Sequence, residues 1–562
     1  MKKSIKPEKV NNAIIFSAGT GSRCVPLTYY TPKGLLKVRG IPLIERSITQ
    51  LLESGITEII IVVGYMKEQF EYLSAKYGVK LVYNPEYAIK NNLSSLHCVL
   101  DHLGSSYIVL SDNWLEKNIY KQYENQSWAS CAYEKGPTKE WCVTTSSTSS
   151  ASSNQRIQSI TVGGQDSYTM VGPAYFSSSF SALFAPLVRE YYHRAQTENF
   201  YWEDVLKQNL EALPIYINDQ TDNAWDLDDL DTIKSFDPGF LDGINNPVLH
   251  NPVLHNIKET LNTPINQISD VKPVKMGLTN DSFRFSAEGK DYIYRVPGTG
   301  TDKLLNRNEE HEVYQTIVHL KISENILFFD PKTGHKISEF LNNSRVCDPY
   351  SPDDVEKCMS VLRKFHEQSH KQNLKVKHTF DIFKKIALYE SLWAGHPPYF
   401  DDYETTKAHI IEMKPFIDSC DKEWGLTHVD PVYANFLFTD TGGDEEIRLI
   451  DWEYAGMQDV HLDIAMFSIY ALYPKHKVEE LISIYFKEPC PPDIRTKIYA
   501  YIAVCGFMWF CWCEYQRKLG IKHGKYALQQ YQYAKDYYCI WKETAVSTPV
   551  GKIVEKISSE NI

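Results

Sequence analysis

At 562 residues the chain is long enough for two or more domains of roughly 100–200 residues each. Its 43% hydrophobic and 23% charged residues are those of an ordinary globular protein, and a net charge of -12 argues against non-specific nucleic-acid binding. The 12 Cys contain no C-x-x-C pair and no paired ligand spacing, so they read as reduced thiols and not as a disulfide framework. The first dozen residues are polar and basic with no apolar stretch behind them, unlike a signal peptide. The longest apolar run, Tyr501 to Cys513, falls short of the roughly 18 residues that cross a bilayer, so no membrane span and a cytoplasmic location are expected.

In the first half, strand and helix alternate. Ala13–Ser17 is an apolar strand that leads into Ala18-Gly19-Thr20-Gly21-Ser22-Arg23. Leu43–Ser54 predicts a helix ending near Gly55, and Glu58–Val63 a buried strand. Lys67–Tyr77 predicts a helix closing at Gly78, followed by strand Lys80–Tyr83 and, later, strand Tyr107–Leu110 ending at Asp112-Asn113. Repeated βα units predict an α/β fold with a mostly parallel sheet, and ligands bound at the carboxyl ends of its strands. Thr144–Asn154 is rich in Ser and Thr and reads as an exposed loop or hairpin tip.

Phe236–Lys272 is rich in Asn and Pro and reads as a connector. It holds a short tandem duplication, residues 246–250 followed by 251–255, too few copies for a repeat fold. A new pattern begins at Val274, with short strands Ser282–Phe285 and Tyr292–Val296 and then long helices rich in Tyr and Trp. The expected domains are residues 1–238, a linker 239–271, a second domain 272–548 and a tail 549–562.

The first candidate site is the glycine run. Ala18, Gly19, Gly21 and Ser22 let the backbone approach a triphosphate, while Arg23 and Lys33 supply charge to phosphates and to a leaving pyrophosphate. Pro26-Leu27-Thr28 and Pro32-Lys33 follow at fixed spacing. These residues resemble the sugar-phosphate nucleotidyltransferase superfamily and, more closely, bacterial CTP:phosphocholine cytidylyltransferases. That likeness extends over Asn91-Asn92, Asp112-Asn113, Glu140-Trp141, Tyr201-Trp202-Glu203-Asp204 and Asp226-Leu227-Asp228. It implies a Rossmann-like domain using CTP and Mg²⁺, with Asp112 and Asp228 as metal ligands and Asp226 nearby. Trp141, Tyr201 and Trp202 would form a cage for a phosphocholine head group. Cys24 replaces a larger aliphatic residue, a packing change.

The second candidate site is His428-Val429-Asp430 with Asn435, followed by Ile450-Asp451-Trp452-Glu453 behind an alternating strand. The pattern fits the catalytic loop of protein-kinase-like phosphotransferases: Asp430 orients a hydroxyl, and Asn435 and Asp451 hold Mg²⁺ under ATP. Gly277-Leu278-Thr279-Asn280 stands in place of a Walker loop, and Arg295 takes the strand position where protein kinases carry Lys. These features resemble the choline/ethanolamine kinase family. The resemblance implies a two-lobed α+β domain, with Asn280, Arg295 and Glu310 at the nucleotide. Trp452, Glu453, Trp509, Trp512 and Tyr515 would surround the amine, since a quaternary ammonium is held by aromatic faces and nearby carboxylates.

Together the two sites imply a bifunctional enzyme that phosphorylates choline with ATP and couples phosphocholine to CTP, its partners being small-molecule substrates. An ethanolamine pathway, a sugar-1-phosphate nucleotidyltransferase fused to a sugar or aminoglycoside kinase, and an inactive regulatory scaffold are the other readings.

Overall fold

The computed structural model describes residues 6–145, 155–241, 251–274, 280–298, 301–440, 445–521 and 523–545. The chain forms two compact units, residues 1–276 with 282–290, and residues 277–281 with 291–562.

The first unit is built on a seven-stranded sheet in the order Tyr216–Asp219, Trp128–Thr145, Ile157–Phe176, Ser106–Leu110, Asn12–Ser17, Ile59–Val63, Lys80–Tyr83. Asn12–Ser17 pairs in parallel with both Ile59–Val63 and Ser106–Leu110, so the order reverses at its carboxyl end, where the glycine run begins. Ile59–Val63 reads Ile-Ile-Ile-Val-Val and is buried throughout, as a parallel strand covered on both faces must be. Leu43–Glu53 places Leu43, Ile44, Ile48 and Leu51 on its buried face at helical spacing. Lys67–Tyr77 is not one helix. Met66 takes a left-handed backbone (φ 48°), Lys67–Phe70 forms a tighter 3₁₀ turn, and the α-helix runs over Glu71–Tyr77 to Gly78 at φ 71°.

Trp128–Thr145 and Ile157–Phe176 form a long antiparallel hairpin with several register shifts, and it pairs Trp141 with Val162. Thr144 and Thr145 belong to this strand; the rest of the Ser/Thr run lies outside the described residues.

The stretch read as a connector is folded into the first unit. The Asn251 side chain accepts from the backbone N–H of Val253 and Leu254, capping a helix over Pro252–Leu261 with Pro at its start. Val253, Leu254 and Ile257 on that helix are fully buried. Asn251 also donates to the Pro26 carbonyl at 3.0 Å. Asn and Pro here are helix-start residues, a role that composition alone does not distinguish from that of a connector. Residues 242–250, with the first copy of the duplication, lie outside the described residues.

In the second unit, residues 291–297, Lys336–Glu339 and Ile326–Phe329 pair antiparallel, and Arg307–Ile317 is the helix that follows the first of them. The remainder is mostly helical, with two small sheets: Arg345–Val346, Phe436–Asp440 and Glu445–Leu449, and Trp424–Thr427 with Gly456–Asp459. Pro492–Lys518 is 27 residues long and apolar enough by length and composition to cross a membrane, but its most apolar window is wholly buried in the unit. It packs against Gly524–Ala545. At Gly506 a Cβ would stand 2.7 Å from the Gln530 carbonyl, so the two helices meet backbone to backbone there.

Candidate active sites

In the first unit the register of a short pair of strands assembles the acidic residues. Asn113–Leu115 runs antiparallel to Ala224–Asp226, with Asn113 opposite Asp226, and the Leu227 N–H donates to the Asp112 carbonyl at 3.2 Å. Asp112 and Asp228 are thereby brought to the same place from 116 positions apart. Lys33 Nζ lies 2.5 Å from Asp112 Oδ2 and 3.1 Å from Asp228 Oδ1, and Arg23 Nη1 lies 2.8 Å from Asp228 Oδ2. Burial works against the Lys33 charge, but Asp112 and then Asp228 more than offset it, leaving its pKa above the ordinary value. Asp226 accepts from the Asn113 amide, and burial, with Asp112 and Asp228 beside it, pushes its carboxyl well up.

Asp112 and Asp228 thus face Lys33 and Arg23, while Asp226 stands beside them with its ionisation disfavoured. Among the described residues no three His, Cys, Asp or Glu side chains are placed to hold a metal unaided. The donor set, with an ammonium already between Asp112 and Asp228, suits a hard divalent cation completed by phosphate oxygens and water.

These residues line a cleft of about 860 Å³ together with Ala18, Gly19, Gly21 and Ser22. Gly21 has φ 64°, and a Cβ there would meet Thr28 Cγ2 at 2.9 Å, so the turn that carries Arg23 requires glycine. A Cβ on Gly19 would meet nothing within 4 Å, which leaves that backbone open to the cleft. Cys24 is buried, and its thiol donates to the Asp228 carbonyl at 3.3 Å; the substitution thus touches the acidic loop as well as the core.

Trp141 and Tyr201 also line the cleft and meet edge to face with ring centroids 6.1 Å apart. Trp202 reaches the wall, but its ring packs on Phe176 at 5.4 Å and Phe184 at 6.5 Å. The helix starts between the two: Tyr201 is the cap residue and Trp202 the first helical one, so they face different ways.

In the second unit the residues from 428 to 430 are held by one helix, Leu462–Tyr470. Asp463 near its start accepts from the His428 N–H (3.1 Å) and the Val429 N–H (2.7 Å). This pins Val429 at φ 70°, a conformation strained for a β-branched residue. Tyr470 at the helix end donates its hydroxyl to Asp430 Oδ1. His428 is buried, which lowers its pKa to about 4, and its neutral ring donates from Nε2 to the Ile450 carbonyl at 3.1 Å. Asn435 donates to the Asp430 carbonyl at 3.0 Å, and its own carbonyl accepts from the Ile450 N–H at 3.0 Å, which brings Asp451 alongside. Burial raises Asp430 to about 7 against the opposing Tyr470 hydrogen bond, and burial, then Glu453, raises Asp451 well above the carboxylate range.

Arg295 is the centre of a buried ion network. It grips Glu310 in a fork, at 2.5 and 3.0 Å, and donates to the Gly334 carbonyl at 2.9 Å. Arg307 bridges Glu310 (2.7 Å) and Glu453 (3.0 Å), and Asn280 joins Arg307 to Glu453. Glu310, rather than its acidic neighbours Glu309 and Glu312, is the partner of Arg295. Residues 277–279 lie outside the described residues.

The aromatic cluster beside Asp430 differs from the expected one. Trp509 lies 5.5 Å from Tyr454, 5.8 Å from Tyr470, 6.5 Å from Tyr389 and 5.8 Å from Trp512. Trp452 does not join it: fully buried, it donates to the Leu449 carbonyl at 2.7 Å and packs on His428 and Phe365. Glu453 is spent on Arg307 and Asn280. Tyr515 is buried on the same helix as Trp512, with no ring contact to the cluster among the described residues. Tyr389, Tyr454 and Tyr470 take their places. Tyr454 stands three residues after Asp451 and Tyr470 seven after Asp463, two helical turns on the same face, so both left a trace in the sequence. Tyr389 comes from a distant helix and left none.

Residues 271–483 match the choline/ethanolamine kinase family, and residues 13–112 match the MobA-like NTP transferase domain. A choline-phosphate cytidylyltransferase of Streptococcus pneumoniae is 34% identical over 224 residues, 40% of this chain and 94% of its own length. A 2-aminoethylphosphonate cytidylyltransferase of Lancefieldella rimae is also 34% identical, over 41% of this chain and 93% of its own length. Protein LicA of Haemophilus influenzae is 23% identical over 45% of this chain and 96% of its own length.

Proposed function

We propose, for a chain that belongs to the choline-phosphate cytidylyltransferase family in its first half and carries a choline/ethanolamine kinase domain in its second, that the two domains perform consecutive steps of CDP-choline synthesis. The second domain would transfer the γ-phosphoryl group of ATP to choline, and the first would transfer CMP from CTP to phosphocholine.

The observation that carries this reading is the presence in one chain of two complete charge constellations for phosphoryl chemistry. One is Arg23 and Lys33 against Asp112 and Asp228; the other is Asp430 beside Asn435 and Asp451. In the first, an acceptor phosphate oxygen attacks the α-phosphorus in line; the new P–O bond forms as the bond to pyrophosphate breaks. Arg23 and Lys33 would neutralise charge that grows on the phosphates and the leaving group. Asp112 and Asp228 would hold Mg²⁺, which when bound supplies further charge neutralisation.

In the second domain Asp430 would accept the hydroxyl proton as the alcohol oxygen attacks the γ-phosphorus. Asn435 and Asp451 would hold the ion under ATP. Tyr454, Trp509 and Tyr470 offer aromatic faces to an ammonium next to Asp430.

A 2-aminoethylphosphonate acceptor is the second reading, favoured by a relative of equal identity. The kinase domain argues for the phosphate ester, because a phosphonate's C–P bond is not made by phosphorylating an alcohol.

Purified protein with ATP, CTP, Mg²⁺ and either choline or ethanolamine tests the proposal. CDP-choline formed from choline supports it. Turnover of CTP with 2-aminoethylphosphonate but not with phosphocholine would replace it.

A further inference from the structure

The helix over Pro252–Leu261 begins well after Asp228, the last residue of the nucleotidyltransferase-like pattern, yet its cap residue reaches back to the start of that pattern. Asn251 is 3% exposed, and both ends of its amide are used. Oδ1 accepts from the Val253 and Leu254 N–H groups, and Nδ2 donates to the Pro26 carbonyl at 3.0 Å. Only the oxygen of an amide accepts N–H bonds, so the helix start fixes the orientation and turns the nitrogen toward Pro26.

Pro26 stands three residues after Arg23. The Cys24 N–H and the Thr28 hydroxyl both donate to the Gly21 carbonyl, at 2.8 and 3.0 Å, and the Tyr30 and Thr31 N–H groups both donate to the Leu27 carbonyl at 3.2 Å. Those bonds close the turn on itself. The Asn251 amide ties it to a separate element, the helix that Asn251 caps. The Arg23 side chain is 60% exposed, and its ion pair at 2.8 Å is with Asp228, which also faces Lys33. The aim of a long, solvated guanidinium depends on the backbone that carries it, and a misplacement of about 1 Å in an active site can cost about 10²-fold in rate.

We propose that Asn251 is a positioning residue of the first active site: through the Pro26 carbonyl it steadies the turn that aims Arg23 at the phosphates. The helix beyond the nucleotidyltransferase-like pattern is then a working part of that site and more than a connector. The proposal rests on the cytidylyltransferase reading of the first domain.

The test uses the full chain and measures kcat for pyrophosphate release at saturating CTP and phosphocholine, with Arg23 present and in an Arg23→Ala background, whose own rate should lie about 10²–10³-fold below wild type. Asn251→Asp is isosteric, keeps the oxygen that caps the helix and loses the N–H that Pro26 accepts. Asn251→Ser is a shorter cap with neither amide nor charge. Each should lower kcat about tenfold where Arg23 is present and less than about twofold where it is Ala, because residues that act through one another are not additive. Choline phosphorylation by the same preparations should be unchanged. Lost stability would lower the rate by the same factor in both backgrounds, so the comparison separates aiming from folding. Equal factors in the two backgrounds, complete inactivity included, overturn the assignment. So does an unchanged rate with Arg23 present, or a loss with Asn251→Asp alone, which would trace to the added charge. A wild-type enzyme that releases no pyrophosphate defeats the function reading instead, before any variant is compared.

Discussion

The Tyr470 hydroxyl donates to Oδ1 of Asp430 from the last residue of the helix whose Asp463 holds the backbone of His428 and Val429. One rigid element therefore sets both the loop and the carboxylate it carries. The hydrogen bond also opposes the burial that raises Asp430 to about 7.

Tyr470→Phe should raise the Asp430 pKa further, because the ionised form loses a donor. A hydrogen bond to a charged group contributes about 1.5–3 kcal/mol, and about 1.4 kcal/mol is one pH unit. The acidic limb of the kinase pH–rate profile should then move up by about one to two units, with about five- to fiftyfold less activity at pH 7. An unchanged profile would show that Tyr470 has only a packing role.

Asp430→Ala should abolish phosphorylation and leave cytidylyl transfer intact. Lys33→Ala should do the reverse, since it removes the cation between Asp112 and Asp228 and leaves their charges opposed. Loss of one such group costs about 10²–10³ in kcat. Assaying both reactions on both variants checks this; a single variant that lost both would show that the two units do not act independently.

Trp509 and Trp452 should separate binding from stability. Trp509→Leu should raise KM for the alcohol about tenfold and leave KM for ATP unchanged, as the loss of a cation–π face implies. Trp452→Ala, in a fully buried site against His428 and Phe365, should cost about 3–5 kcal/mol of stability instead. Denaturant unfolding beside steady-state kinetics distinguishes the two; equal KM effects would return Trp452 to the amine site.

The Arg295–Glu310 pair predicts acid sensitivity. Although burial itself raises it, Arg295 and its neighbours hold Glu310 at about 2, below its ordinary 4.5. A depressed carboxylate contributes stability that is complete above the unfolded value and disappears as pH falls toward the folded one. The second unit should therefore lose about 3 kcal/mol between pH 4.5 and 2 from this group, and Glu310→Gln should flatten that slope. Thermal unfolding across this range is the measurement, and identical slopes would refute the assignment.

Much of this was legible in the sequence because it is local. The glycine run, the strand ahead of it and the pattern from His428 to Asp451 are short spacings governed by backbone chemistry, and the structure places them at strand ends as expected. Helix ends at Gly55 and Gly78 follow from the same rule. The packing of residues 251–261 was less legible, because Asn and Pro mark a helix start and a connector equally well until Val253, Leu254 and Ile257 are seen to be buried. Only tertiary structure decided which aromatics stand beside Asp430. Trp452 adjoins Asp451 in sequence, yet successive residues leaving a strand point in opposite directions, so it turned into the core while Tyr389 arrived from another helix. Residue types and short spacings state which chemistry is possible; the direction of each side chain depends on packing between segments far apart in the chain, and no local pattern records it.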